Sequence, residues 1–122
     1  MSEYFPSGIY SIPEISMVGK TEQDLKSMEI PYVTGVARYQ EIARGQILGD
    51  DSGMLKLLFA LENRQLLGVH AIGTGATELI HIGQAVLCFH GSLDYFLQTV
   101  FNYPTLAECY KVAAWDAENK FT

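Results

Sequence analysis

Apolar residues recur along this chain with two different periods, close to two residues in the first half and close to a helical turn in the second. The stretch 8–19 alternates but is interrupted by Pro13, which has no amide to give to a ladder, so two short extended pieces near a sheet edge are expected. Thr21 ahead of Glu22 and Asp24 marks a helix start, with a hydroxyl as N-cap and acids where the helix dipole favours them. Leu25 and Met28 give that helix one apolar stripe, and Pro31 stops it. Residues 32–39 alternate as a strand with Val33, Gly35 and Ala37 on one face, whereas 40–51 has no clear period and reads as loop with room for one helical turn. The clearest strand is 54–62, with Leu55, Leu57, Phe59 and Leu61 on one face and Lys56, Leu58, Ala60 and Glu62 on the other. Asn63 and Arg64 form a turn, and 65–72 returns as the partner strand of a hairpin.

The period then changes. Residues 76–89 predict a helix nearly encircled by Leu79, Ile80, Ile82, Ala85, Val86, Leu87 and Phe89. A helix apolar all round is buried on all sides, and a small domain has little material with which to surround one, so a subunit contact is expected. Gly91 ends this helix; Ser92 caps a short aromatic one holding Tyr95, Phe96 and Phe101, and a last helix is expected over 106–115. Strands first and helices after define an α+β class, an antiparallel sheet covered by helices.

With 122 residues, 48% of them hydrophobic and 18% charged, the chain has globular composition and the length of a single domain, 1–122. A net charge of −6 offers no basic footprint for a phosphate backbone, so nucleic acid is not an expected partner. The longest stretch without Asp, Glu, Lys or Arg, 79–93, contains His81, Gln84 and His90 and falls short of the roughly 20 apolar residues of a membrane span. The N-terminal Met-Ser-Glu-Tyr-Phe-Pro has neither a basic start nor an apolar run, so no secretory signal and a cytoplasmic location are expected. Cys88 and Cys109 are too far apart for a CxxC motif and read as two buried thiols.

Few arrangements of chemistry-bearing residues stand out. Gly73-Thr-Gly75 follows a strand and opens a helix, as a phosphate-cradling loop would. Glu78 stands where the dinucleotide fingerprint has its third glycine, and its charge repels a pyrophosphate; a glycine turn into a helix explains the motif. Glu78 and His81 have the Glu-x-x-His spacing of di-iron carboxylate sites, which need two copies and two further glutamates; one copy is present, and no metal is expected. His70 and His90 add no matched spacing, the serines lie in no nucleophile elbow, and Cys88 within an apolar helix is an inert thiol. Thr105 to Glu108 forms a Thr-x-x-Glu capping box ahead of the last helix.

Three blocks in order carry a family likeness: Ile12-Pro-Glu-Ile-Ser-Met-Val-Gly-Lys-Thr-Glu22, Leu67-Gly-Val-His-Ala-Ile-Gly73 and Tyr103-Pro-Thr-x-x-Glu108. From about residue 8 to the end, the chain resembles the C-terminal dimerisation domain of the pyridine nucleotide-disulfide oxidoreductases. Ile80-His-Ile-Gly-Gln-Ala85 and the run 101–114 are most similar to the transhydrogenase branch, whose members move hydride between NADH and NADP through bound FAD. The resemblance implies a homodimer, and FAD and NAD(P) in the full-length protein. It implies that Tyr103 and Pro104 border the partner subunit's flavin, and that the Tyr103–Pro104 bond is cis. Disulfide reductases of the family carry a histidine, oriented by the glutamate, where this chain has Tyr103, with Glu108 retained. A phenol, with an ordinary pKa of about 10, is a poor proton shuttle at neutral pH, so dithiol exchange is not expected, whereas hydride transfer through a flavin needs no such base.

The family's FAD- and NAD-binding domains have no counterpart in these 122 residues, so the chain alone is expected to bind neither cofactor and to be inactive. Leu79, Ile82, Val86 and Phe89, with Tyr95 and Phe96, are the expected dimer interface, each meeting its counterpart across a two-fold axis. Other readings remain: a fragment of another flavoprotein disulfide oxidoreductase, a small-ligand module at the Gly73–Gly75 turn, or a small enzyme using Tyr103 and Glu108 in a cleft.

Overall fold

A computed structural model describes residues 7–9, 15–41, 53–73, 75–99 and 107–121. It builds them on a five-stranded sheet in which every neighbouring pair is antiparallel. In chain order the elements are β1 (Ser7–Ile9), β2 (Ile15–Gly19), α1 (Glu22–Ser27), β3 (Tyr32–Arg38), a 3-10 turn (Tyr39–Glu41), β4 (Met54–Ala60), β5 (Leu66–Ile72), α2 (Ala76–Cys88), α3 (Leu93–Gln98) and α4 (Glu108–Phe121). The strand order is β1-β2-β5-β4-β3. The two extended pieces expected on either side of Pro13 are β1 and β2, with β1 at the sheet edge; Pro13 itself lies outside the described residues.

Alternation decides which face of the sheet is covered. Val33 and Ala37 of β3, Leu55, Leu57 and Phe59 of β4, Val69 and Ala71 of β5 and Val18 of β2 are buried in one core cluster. Helix α2 lies over β5 and β2, and α4 lies over β3 and β4. The opposite face carries α1, whose Glu22 accepts hydrogen bonds from the Tyr32 hydroxyl (2.9 Å) and the Lys56 ammonium (2.6 Å). Leu25 and Leu58 are fully buried outside the main cluster. Thr21 caps α1 as expected and does so reciprocally, since Asp24 N–H donates to Thr21 Oγ1 and Thr21 N–H to Asp24 Oδ2, both at 3.0 Å.

Element ends differ from expectation for local reasons. Helix α1 closes at Ser27, before Pro31 is reached: Met28 is its C-cap and exposed, and Glu29 takes a left-handed φ of 56°. Strand β4 closes at Ala60, and Leu61 is exposed in a turn where Arg64 has φ 64° and Gln65 N–H donates to Asn63 Oδ1 at 3.0 Å. Helix α4 runs to Phe121, well beyond 115, because its buried stripe continues in small residues, Ala113, Ala114 and Ala117. Its polar end is tied down as well. Asp116 accepts the Val36 N–H (2.9 Å), Lys120 donates to the Thr34 carbonyl (2.9 Å), and Arg64 pairs with Glu118 and lies over the Phe121 ring. The first two contacts use main-chain groups of β3, a strand at the sheet edge, which would otherwise be open to another strand.

The close seat of α4 requires Gly35. A Cβ there would stand 2.1 Å from the Ala113 carbonyl oxygen and 2.9 Å from the Ala117 Cβ. Gly35→Ala is therefore expected to lower unfolding free energy by about 1–3 kcal/mol, the range for overpacking a tight contact. Urea unfolding of both proteins measures this, and an unchanged midpoint would contradict the close packing of α4 on β3.

Candidate functional site

Helix α2 enters from a glycine turn, Gly73 at φ 122° and Gly75 at φ 80°, and its N-cap, Gly75, offers no side chain to cap it. Ala76, Thr77, Leu79, Ile80, Gly83, Val86 and Leu87 face the chain's own core. The other side of the helix is open, and its character changes along its length. Glu78 and His81 are exposed near its start; Ile82 is half-buried; Ala85 and then Phe89, 85% exposed, follow toward its end. The chain turns back after His90, and α3 brings Tyr95, 44% exposed, alongside. Ala85, Val86, Phe89, Gly91 and Tyr95 line one apolar groove between the two helices.

Six residues were expected to meet a second copy, and the structure divides them. Phe89 and Tyr95 present open aromatic surface, and Ile82 is half-covered. Leu79 and Val86, each 6% exposed, and Phe96, fully buried, are part of the chain's own core and have little surface left for a partner. Within the single chain, α2 is covered on the side of Ala76, Leu79, Ile80, Val86 and Leu87, while Glu78, His81, Ala85 and Phe89 are exposed, so the burial on all sides expected for it would need a second subunit. Cys88 is half-buried at the end of α2 and not fully enclosed, while Cys109 is buried. Desolvation pushes the Cys109 thiol up to about 12, with the Glu41 and Glu108 carboxylates adding to it, so this sulfur is an inert packing group.

Tyr103, Pro104, their peptide bond and Thr105 lie outside the described residues, as does Phe101. Glu108 opens α4 and is half-buried. The flanks of that segment are joined directly: Lys111 Nζ donates to the Thr99 carbonyl at 2.8 Å, and the Phe96 and Tyr110 rings stack at 5.3 Å and 11°. Glu78 and His81 do not converge on a metal site; His81 instead contacts Gln84 (3.1 Å), and no group of three metal-ligating side chains occurs among the described residues. None of the described helices is long and apolar enough to cross a membrane.

The sequence pattern assigns no role to Tyr110, Gly83 or His70, and to Arg64 only a place in the turn before β5. The Tyr110 hydroxyl donates to the Leu79 carbonyl (2.6 Å) and accepts the Gly83 N–H (2.9 Å), so it reaches into α2. A lone glycine inside an otherwise apolar helix was the available signal for a close approach there. His70 lies on the second face, in register with Met17 on one side and Lys56 on the other, and its Nε2 contacts the Lys20 carbonyl (3.1 Å).

Desolvation lowers the His70 pKa below its ordinary 6.5, against the raising effect of the Lys20 carbonyl; the Lys56 charge lowers it further, while Glu22 and Asp24 oppose it. The unfolded chain therefore takes up this proton before the folded one does. Stability is fully present above pH 6.5 and is lost as pH falls from 6.5 toward the lowered folded value. The urea midpoint is expected to drop between pH 7.5 and 5.5 in the wild type and to change less in His70→Gln, which keeps a donor for Lys20. Equal pH slopes in the two proteins would contradict this. Glu22, lowered chiefly by the Lys56 hydrogen bond and then by Tyr32, adds a separate loss below its ordinary 4.5.

Known proteins match this arrangement. The sequence signature of the pyridine nucleotide-disulphide oxidoreductase dimerisation domain covers residues 5–114, and the chain belongs to that family. Over 120 residues it is 59% identical to the soluble pyridine nucleotide transhydrogenase of Mycobacterium tuberculosis, covering 98% of this chain and 26% of that protein. The protein of the same name from Yersinia enterocolitica is 53% identical over 121 residues, 97% of this chain and 26% of its own length. The chain thus spans about a quarter of the length of these curated relatives. Among solved structures, the HOCl-induced flavoprotein disulfide reductase RclA of Escherichia coli superposes with a TM-score of 0.87 at 19% identity, covering 93% of this chain and 26% of that one. LpdA of Mycobacterium tuberculosis gives 0.86 at 19% identity, covering 93% and 25%. At that identity the structural likeness shows the α+β dimerisation-domain fold and nothing finer.

Proposed function

We propose that this chain is the two-fold self-association module of an FAD-dependent pyridine nucleotide oxidoreductase of the soluble transhydrogenase branch. In that reading the whole protein is a cytoplasmic homodimer that exchanges hydride between NADH and NADP through FAD. The observation that carries it is the high identity to named transhydrogenases across nearly the whole chain. The open apolar groove at the end of α2 agrees with it, since it places the exposed Phe89 and Tyr95 on one surface that a second copy would cover. A two-fold contact through Phe89, Tyr95 and Ile82 sets the same patch against itself.

The described residues do not by themselves fit a flavin or nicotinamide dinucleotide. The glycine turn into α2 would aim a pyrophosphate at a helix start that bears Glu78 in its first turn, and like charges oppose each other there. No step is therefore routed through a cofactor on this chain, which is proposed to be inactive alone. Its contribution to the full-length protein would be positional: the Tyr103–Pro104 segment, followed by Glu108 at the head of α4, would border the partner's FAD. With Tyr103 where related reductases hold a histidine, that contribution excludes a neutral-pH proton shuttle.

Phe89→Ser tests the reading. The purified wild-type chain is expected to sediment at twice 13.6 kDa at micromolar concentration. Phe89→Ser should raise the dimer dissociation constant by at least about tenfold, as loss of a central aromatic anchor does. Its melting temperature as a dilute monomer should be nearly unchanged, because the side chain is 85% exposed. A wild-type chain that remains at 13.6 kDa would contradict the self-association reading. Turnover of NADH with an NADP analogue by the chain alone would contradict its proposed inactivity.

A further inference from the structure

We propose that Tyr110 is a positioning residue for the self-association groove, acting through a hydroxyl that bonds two main-chain groups of α2. The proposal rests on the self-association reading above and names the side chain that sets the shape of that surface.

Leu79 and Gly83 are four residues apart, the carbonyl and amide that an α-helix pairs with each other. In this chain the Tyr110 hydroxyl bonds both, donating to Leu79 O at 2.6 Å and accepting from Gly83 N–H at 2.9 Å. The groove-lining residues of α2 and its exit, Ala85, Val86, Phe89 and Gly91, all lie beyond these two. The hydroxyl thus holds α2 at Leu79 and Gly83, just ahead of the residues that build the groove.

The same side chain holds the other wall. Its ring stacks on Phe96 at 5.3 Å and 11°, and Phe96 meets Tyr95 edge-on at 5.3 Å. Tyr95 completes the groove opposite Phe89. One fully buried residue therefore contacts both elements whose separation defines the groove, the α2 backbone through its oxygen and α3 through its ring. Gly83 makes room for this: a Cβ there would stand 3.1 Å from the Tyr110 oxygen and 2.5 Å from Val69 Cγ2. Burial holds the phenol pKa above its ordinary value, so the hydroxyl stays a donor at all pH values of interest. Tyr110 is also the third residue of α4, so the groove is coupled to the helix that follows the 103–107 segment.

Tyr110→Phe in the whole chain separates positioning from packing. The ring and its stack remain, and Gly83 N–H and the Leu79 carbonyl stand in the i, i+4 relation that an α-helix pairs, so the variant is expected to fold. Two readings are taken: backbone amide chemical shifts by NMR and the dimer dissociation constant by sedimentation, both well below the melting temperature. The proposal expects shifts concentrated at residues 83–91 and 95–96, few changes at 76–78, and a dissociation constant raised about tenfold. A lowered melting temperature with a dissociation constant within twofold of wild type and no shift beyond residue 84 would reduce Tyr110 to packing and overturn the proposal. A wild-type chain that never dimerises would overturn the self-association reading instead; the amide shifts at 83–91 would then decide by themselves whether the hydroxyl positions the groove.

Discussion

Helix α2 has more apolar perimeter than one sheet can cover, and the rest of the molecule is arranged around that excess. Leu79, Ile80, Val86 and Leu87 supply the side that lies over β2 and β5. Ala85 and Phe89 remain outside. Burying a phenylalanine side chain contributes roughly 1.5–3 kcal/mol, and a two-fold contact would collect that twice from a surface that a lone chain leaves wetted. The open side is polar where α2 starts, at Glu78 and His81, and apolar where it ends. In the proposed dimer, a covering partner would meet α2 at the end next to α3.

Placing that surface depends on close packing elsewhere. Gly35 lets α4 settle on β3, and Gly83 lets α2 approach Val69 and admit the Tyr110 oxygen. Between these two small positions, α4 is fixed to the sheet at Ala113 and Ala117 and to α2 at Leu79 and Gly83. Arg64 binds the opposite end of α4 to the β4–β5 turn through Glu118 and Phe121, and reaches Asp94 in α3 at 3.1 Å. Sheet edge, hairpin turn and all three core-side helices are thus held as one body. The chain belongs to a dimerisation-domain family, and the self-association proposed for it would use a face held in this way.

The three strands 32–39, 54–62 and 65–72 were readable because a half-buried sheet demands alternation, and Leu55, Leu57 and Phe59 supply it in unbroken order. Thr21 announced α1 because its hydroxyl has one local use. Helix ends were less legible where the decisive residues are small or act at a distance: Ala117 prolongs the buried stripe of α4 without a large side chain, and Glu29 turns the chain before Pro31. Within α2, period alone could not divide Leu79 and Val86 from Ala85 and Phe89, because apolar residues occur on nearly every side of the helix; only the sheet's location does so. The Tyr110 hydroxyl joins residues 27 and 31 positions apart, a relation with no local signature. Tyr103 and Pro104 came from family resemblance, and the physics of their neighbours speaks only to the flanks, through Lys111 and Thr99.

Solvent access at Phe89 as a function of protein concentration tests the central claim most directly. Hydroxyl-radical footprinting of the purified chain, read by mass spectrometry, compares Phe89 and Tyr95 with Met28, exposed on the other side of the sheet. Self-association through the groove predicts that labelling of Phe89 and Tyr95 falls together as concentration rises while Met28 stays constant. Equal labelling of all three residues at every concentration would mean that no second copy covers the groove.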